Sequence, residues 1–530
     1  MKYIKFRSFI LPLGLLVIIA LYLLCYRLLN TSGYLSFSDG AKYADVARNL
    51  LQFGVYGSSF KFFSGLNPQT LKTFPFEAGG ILPGMPIVLY IFFLLFGASD
   101  FSATLSSAFI LLLCLVFLFL LGKRYYGTFA AALTVLMVGV NINLIEYSLN
   151  GASEMLIVLE MLLAVYLITL RAKIARICAG GVLILMYFTR FNAVVYIAPI
   201  IFFWLVSEFG LKRGTIKFVI TALLGLVIDK FILGWLEGKY FFYQVFSGGL
   251  SGIVSISSGQ SPSEYLREPI HGLASLKDIG IKTFYNIYNF YKFIPQIFSP
   301  YLFTLFLLGI LLPSKKIEEN YFKIFTALTL VFSLIAYAFT IPFFRYLHPT
   351  IPFIYLVAVG TLIKIVGKIG RGVLISVVIV SFILINSLGT ILLDSRYLVD
   401  RVNKGQLPVY VRLSWLLRDI TEPDDIIVTN LDTWGSWYGE RKTVWFPLEP
   451  NQLSDFVDDV DAIYLTSYLM DDENYYMGEA WRKVFNSPEM HDNDFLNENY
   501  ELKGVYEIGA EDTYEREAAR AILLVSKKNE

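Results

Sequence analysis

The sequence predicts a polytopic α-helical membrane protein of about 11 transmembrane helices, with a small α/β domain at its C-terminal end on the extracytoplasmic side. Three observations predict it. The 530 residues are 56% hydrophobic with a mean hydropathy of +0.59, too apolar for a chain that faces water all round. Aromatic residues make up 16%, with 45 Phe and 34 Tyr, which suits lipid-facing surface and interfacial belts. The net charge of +1 divides sharply, because residues 394–530 hold 28 Asp and Glu against 14 Lys and Arg. That segment is therefore −14 and residues 1–393 are +15. The acidic tail reads as a separate soluble domain, and nothing in the balance calls for a nucleic-acid partner.

Apolar runs place spans near 9–29, 102–121, 128–142, 154–170, 174–189, 193–207, 216–235, 298–312, 322–340, 351–363 and 373–393. Basic clusters fall in every second loop between them, at Lys123-Arg124, Arg171 to Arg176, Lys212 to Lys217, Lys315 to Lys323 and Lys364 to Arg371. With the N-terminus inside, the positive-inside rule puts all five in the cytoplasm and the acidic domain outside the cell membrane. Counting Ile81 to Gly97 as a span would turn every later basic loop outward, so it is read as a helix lying in or dipping into the outer interface. The run after Lys2, Lys5 and Arg7 is long for a signal peptide and lacks a convincing cleavage site, so it is kept as a span.

The outer face then carries loops 30–101 and 236–297, a short loop around Asn143 to Ser153, the loop Ile341 to Thr350, and the C-terminal domain. In that domain Asp425 to Asn430, Asp461 to Tyr468 and Ala521 to Ser526 read as strands and Asn451 to Val460 as a helix. Cys25, Cys114 and Cys178 lie in apolar runs without metal or disulfide spacing. There is no P-loop, HExxH, dinucleotide GxGxxG or GxSxG motif, so chemistry driven by nucleotide hydrolysis is unsupported.

Polar chemistry should therefore sit on the outer face. Asp39 opens the first loop just after the first span, where a carboxylate can take a proton from an acceptor hydroxyl while a lipid-borne donor stays in the bilayer. The competing reading is a helix N-cap for Ala41 to Leu51. Glu154 begins the fourth span at its outer end, either lining a pocket or simply favoured at a helix N-terminus. Arg345 and His348 stand in the phrase Arg-Tyr-Leu-His-Pro. A guanidinium there can grip a phosphate bidentately, or it can snorkel to lipid headgroups. Arg190 is a second such candidate, and His348 alone reads as structural. Asp229, Lys230 and Glu160 are costly in lipid and should face protein or water. Glu264, Glu268 and His271 lack diagnostic metal spacing.

The run Asp39-x-x-x-Tyr43-Ala44-x-x-Ala47-x-Asn49-Leu50 resembles the first-loop motif of the GT-C glycosyltransferases, family 39 in particular, the protein O-mannosyltransferase and aminoarabinose transferase group. Leu82-Pro83-Gly84-Met85-Pro86, Phe96-Gly97-Ala98-Ser99, Gly122 to Gly127 and Phe344 to Pro349 follow in the family's order over residues 1–360. The resemblance implies a GT-C-like catalytic domain over residues 1–393 and an extracytoplasmic domain over 394–530. It implies transfer of a sugar, hexose or pentose, from a polyprenyl-phosphate donor to a hydroxyl on a lipid, glycan or protein acceptor, with inversion. Asp39 would be the catalytic base, Glu154 a second catalytic acid, Arg345 and Arg190 the donor phosphate ligands, and Lys42, Tyr43 and His348 substrate contacts. A divalent metal between acids is open as a cofactor. Gly40 departs from the pattern, since many members carry a second acid there, and a role needing paired carboxylates is not carried over. The Lys-Pro-Pro of aminoarabinose transferases is absent, so neither is their substrate. Trp437-Tyr438-Gly439 matches only part of the oligosaccharyltransferase acceptor motif. A transporter or lipid flippase, or a scaffold using the acidic domain, are the competing classes; the lack of repeated halves speaks against transport.

Overall fold

In the computed structural model, residues 2–63, 66–78, 81–228, 276–340, 342–367, 372–393, 403, 405–472, 477–489 and 493–529 are described. Asp229, Lys230, Glu264, Glu268 and His271 lie outside them.

The helices follow the apolar runs. They are α1 Lys2–Asn30, α2 Ser38–Phe53, α3 Gly84–Phe96, α4 Asp100–Tyr126, α5 Thr128–Gly139, α6 Ile142–Ser148, α7 Glu154–Thr169, α8 Lys173–Thr189, α9 Val194–Phe209 and α10 Leu211–Ile228. After residue 275 come α11 Leu276–Ile297, α12 Pro300–Leu311, α13 Ile317–Phe339, α14 Ile351–Val366 and α15 Gly372–Leu393. Every predicted span falls on one of them within the described residues, 216–235 as far as Ile228. Among the described residues five helices are long and apolar enough to cross a bilayer, and two bent pairs, α5 with α6 and α11 with α12, add two more. This is an integral membrane protein. Glu160, buried in the middle of α7, is bonded: Thr189 Oγ1 donates to Glu160 Oε1 at 2.8 Å, so Glu160 faces protein as the cost of a carboxyl in lipid requires.

Three readings of the loops need correction. Residues 276–297, placed in a loop, form the 22-residue helix α11; its aromatic residues are interleaved with Lys and Asn, which breaks the apolar run that betrays a span. The short loop around 143–153 contains α6, bent 67° from α5. Asn451 to Val460 is not an α-helix but a 3-10 helix over Pro450–Phe456. The helix read at Ile81 to Gly97 is α3, whose 13 residues span only about 20 Å, short of a hydrocarbon core of about 30 Å. Met85, Leu89 and Phe93 are buried on one side of it, while Leu95 and Phe96 are exposed.

The C-terminal unit adds α16 Val409–Ile420, α17 Asp432–Trp437, α18 Glu479–Asn486 and α19 Asp494–Asn499. Its strands are β4 Ile426–Thr429, β5 Lys442–Trp445, β6 Ala462–Thr466, β7 Tyr500–Ile508 and β8 Ala519–Ser526. The first loop carries β1 Gly57–Ser58, β2 Phe60–Lys61 and β3 Phe76–Glu77. The six-stranded sheet runs β2-β5-β4-β6-β8-β7, parallel from β2 to β6 and antiparallel beyond. Its edge strand therefore comes from the first loop, Phe60 opposite Thr443 and Lys61 opposite Val444. The acidic tail is thus built into the rest of the molecule.

Side chains complete that attachment. Tyr438 Oη accepts from Leu35 N at 2.7 Å, and Trp434 Nε1 donates to Leu35 O at 3.1 Å. Trp437 Nε1 donates to Asp100 Oδ1 at 2.8 Å, and its ring stacks on Phe93 and lies 4.7 Å from the Arg48 guanidinium. Trp437-Tyr438 is a fastening between the two parts of the chain.

Candidate active site

The first-loop motif has a structural logic. Ser38 to Phe53 folds as α2 and stops where Gly54 takes φ 68°, a left-handed conformation that suits glycine. Ala44 and Ala47 are fully buried, and Asn49 Nδ2 donates to Gly57 O at 3.2 Å. Asp45 accepts from Ser59 N at 2.6 Å and from Arg48 at 2.9 Å. Most of the motif therefore shapes the loop, which leaves Asp39, Lys42 and Tyr43 at the helix N-terminus for chemistry.

Asp39 is not the N-cap; that position is Phe37, and no side chain caps the helix. The Asp39 carboxylate instead accepts from Lys42 Nζ at 2.8 Å through Oδ1 and from Arg345 Nη1 at 2.9 Å through Oδ2. The Arg345 bond joins residues 306 positions apart. Arg345 does not snorkel to headgroups: it lies in a 3-10 turn, Phe344–Thr350, that leads into α14. Glu154 starts α7, and its Oε1 accepts from Arg190 Nη1 at 2.5 Å, while Arg190 also reaches Ser153 Oγ at 3.2 Å. Tyr43 Oη bonds the same Ser153 hydroxyl at 3.2 Å. Tyr346 connects the two halves, its ring 5.4 Å from the Arg345 guanidinium and 5.5 Å from that of Arg190. His348 Nδ1 is bonded to Tyr147 Oη at 2.7 Å and is buried, a packing role. All seven residues singled out from the sequence thus lie in or beside one connected cluster.

Sequence reasoning missed Asp432. It sits at the start of α17 with φ 54°, an unusual conformation for a non-glycine residue and one that concentrates at functional sites. It is 7% exposed. Thr433 N donates to Asp432 Oδ1 at 2.7 Å, Ser38 bonds its carboxylate, and Thr433 Oγ1 donates to Ser38 O at 2.7 Å. Asp432 is thereby clasped to the residue preceding Asp39, within electrostatic reach of Lys42. One signal was available: Asp432 follows the C-terminal end of the central parallel strand β4, where open α/β sheets place ligand contacts. Gly40 cannot carry a second acid, because a Cβ there would lie 1.9 Å from the Asn150 carbonyl oxygen.

Electrostatics tie these groups together. Burial alone would raise the Asp39 carboxyl, but the charges of Lys42, Arg345 and Arg190 outweigh it and hold the group well below the usual carboxylate range. Burial likewise opposes charge on Lys42, yet Asp39 raises its ammonium above the ordinary value. Asp432 is pushed up to about 6, by burial first and with Asp39 adding to the rise, against the opposing pull of Lys42. Two polar atoms of the cluster, Arg345 Nε and Glu154 Oε2, are buried with no hydrogen-bond partner among the described residues. Buried groups are normally paired, so each is suited to a ligand. The acids do not suit a shared metal: Asp39 and Glu154 are each held by cationic side chains, and among the described residues no three His, Cys, Asp or Glu converge on one point.

A helical membrane body with a C-terminal α/β unit fastened to its first loop is the GT-C-like fold, and this chain has that fold. The family model described as dolichyl-phosphate-mannose-protein mannosyltransferase matches residues 82–235. The crystal structure of ArnT from Cupriavidus metallidurans bound to undecaprenyl phosphate is 12% identical, with a TM-score of 0.50 over 97% of each chain. The Archaeoglobus fulgidus oligosaccharyltransferase, in complex with zinc and sulfate, is 14% identical with a TM-score of 0.51, over 87% of this chain and 69% of that one. No curated protein matches the chain.

Proposed function

We propose that this protein transfers a sugar from a polyprenyl-phosphate donor to an acceptor hydroxyl at the membrane face that carries the Asp39 cluster, the extracytoplasmic face. The carrying observation is the Asp39–Arg345 pair, a base and a phosphate ligand brought together from opposite ends of the helical body. The match to the mannosyltransferase model and the undecaprenyl phosphate bound by ArnT support the donor class. Asp39 takes the proton of the acceptor hydroxyl, the oxygen attacks the anomeric carbon, and the carbon–oxygen bond to phosphate breaks as Arg345 stabilises the departing polyprenyl phosphate. Attack opposite the leaving group inverts the sugar carbon. Radiolabelled sugar transfer in reconstituted liposomes tests the reading; a protein that moves lipid-linked sugar across the bilayer without consuming it is a transporter and overturns it.

Charge counting says how the site switches on. Asp39, Glu154 and Asp432 face Lys42, Arg190 and Arg345, three against three. An arriving phosphate is neutralised only by drawing a cation away from a carboxylate. Arg345 has the most exposed side chain of the three, at 36% against 17% for Lys42 and 13% for Arg190. Turning it to the donor strips Asp39 of one counter-charge and makes it a stronger base when the donor is in place.

Asp432 serves as the second acid that Gly40 denies the first loop. Once Asp39 has accepted a proton, Lys42 loses its carboxylate partner, and Asp432 keeps that ammonium compensated. The sign follows from its raised pKa. Asp432 is ionised above about pH 6, so transfer falls as the pH drops through 6, while Asp39, held far lower, stays ionised across that range. The rate profile of the wild type is expected to show an acid limb near 6, and Asp432→Asn to lower the rate and abolish the limb. A limb left in place in that variant assigns it elsewhere. For stability the direction reverses: this group favours folding below its unfolded value of about 3.9, and the contribution is lost as the pH rises through about 6.

A further inference from the structure

At the helix ends remote from Asp39 lies a hollow of about 670 Å3 with a basic border. Helix α4 begins at Asp100, beside Trp437, and reaches the hollow at Tyr126, roughly 40 Å away at 1.5 Å per residue. Three chain segments converge on it: the end of α4 with the start of α5, the turn between α12 and α13, and the end of α14. Lys123, Arg124, Lys315 and Lys316 border it, and among the described residues none of them makes an ion pair.

The walls are built rather than fringed. Glu319, 1% exposed, holds Lys364 and lies 3.4 Å from Lys323. Ser314 Oγ donates to the same carboxylate at 2.7 Å, and Lys323 Nζ donates to Leu312 O at 2.7 Å. The turn bearing Lys315 and Lys316 is therefore pinned from beneath. Two helices present their N-termini here, α5 at Gly127 and α13 at Lys316, neither with a side-chain cap among the described residues; the first turn of α13 carries Glu318 and Glu319, so α5 is the one open to an anion. Uncapped N-termini leave amide N–H groups unpaired and favour anions. Tyr126 lines the same hollow, and its hydroxyl is buried with no hydrogen-bond partner among the described residues. Positive-inside topology accounts for lysines at helix ends, but not for a buried carboxylate fixing their turn or for an orphaned phenol beside them.

We propose that this hollow binds a phosphate-bearing anion, the headgroup of an anionic phospholipid in the leaflet away from the Asp39 cluster. The unpaired cations and the first-turn amides of α5 take the phosphate oxygens, and the Tyr126 hydroxyl donates to one of them. Basic recesses between transmembrane helix ends recognise lipid phosphates in this way, and the apolar rim at Leu312 and Ile365 suits an acyl chain alongside.

The test compares thermal stabilisation of the purified full chain by phosphatidate with that by phosphatidylcholine, and by inorganic pyrophosphate as the soluble alternative. Three proteins are used: wild type, K123Q/R124Q/K315Q/K316Q, and a control, K212Q/R213Q, that removes basic residues from the exposed start of α10. Phosphatidate is expected to bind wild type and control alike and the quadruple variant at least about tenfold more weakly. Tyr126→Phe, which removes only the hydroxyl, is expected to weaken phosphatidate without altering phosphatidylcholine. Stabilisation by pyrophosphate alone, with the same dependence on the four cations, keeps the phosphate site and assigns its ligand to the aqueous phase. Equal losses in the control and the quadruple variant, or no stabilisation by either phosphate compound, overturn the proposal.

Discussion

Asp39→Asn is expected to lower sugar transfer by about 100- to 10,000-fold, the range over which a positioned general base contributes, while the protein stays folded and inserted. Asparagine keeps the volume and one acceptor oxygen but cannot take a proton. It also takes the nearest counter-charge from Lys42 and Arg345, leaving Asp432 to compensate Lys42. Breaking a well-buried pair costs about 3–5 kcal/mol, less here because Arg345 is 36% exposed. A modest fall in melting temperature should therefore accompany the kinetic loss. The same change frees Arg345 for the donor, so polyprenyl phosphate is expected to bind the variant at least as tightly as the wild type. Slow turnover with retained donor binding is the signature of a missing base. Near-normal turnover removes Asp39 from the chemistry.

Arg345→Met gives the complementary pattern. Losing a group that stabilises charge on the leaving atom typically costs about 100- to 1,000-fold in rate, and here the donor is also held more weakly, so KM for the donor rises as kcat falls. Arg345→Lys is expected to recover only part of the activity, since a single ammonium cannot make the paired bonds of a guanidinium to phosphate. Asp39 in the Met variant keeps Lys42 but loses its other near cation. Its carboxyl moves up toward the ordinary range, still below the limb near 6 that Asp432 sets, so that limb is expected to stay where it is. An unchanged donor KM in Arg345→Met would hand the phosphate to another cation, with Arg190, across the Tyr346 ring, the next candidate.

The sequence exposed those parts of the molecule whose physics is local. Long apolar runs such as Asp100–Tyr126 and Ile317–Phe339 announce their helices because lipid admits little else. Asp39, Glu154, Arg190 and Arg345 were legible because charged residues at span ends stand out against an apolar background. What could not be read locally is pairing. Nothing near residue 39 says that its carboxylate will meet Arg345 rather than cap its own helix. Nothing near residue 60 says that Phe60–Lys61 will become the edge of a sheet whose other strands begin at Ile426. Asp432 was hidden by the same distance and by sitting in a helix of six residues. Helix α11 escaped because aromatic residues alternating with Lys and Asn mimic a solvated loop.

The edge strand from the first loop sets an order of assembly. Leu35 and Tyr438, which meet at 2.7 Å, are separated by 403 positions, so the ribosome delivers Asp39 long before it delivers the α/β unit beside it. Closing so large a ring as free coil would be slow and entropically costly. The intervening helices, once seated in the bilayer, hold both ends of the ring near one another and leave only a short search. Until the last quarter of the polypeptide has arrived, Asp39 lacks Asp432 beside it, and the cluster that the proposed reaction needs is incomplete on the nascent chain.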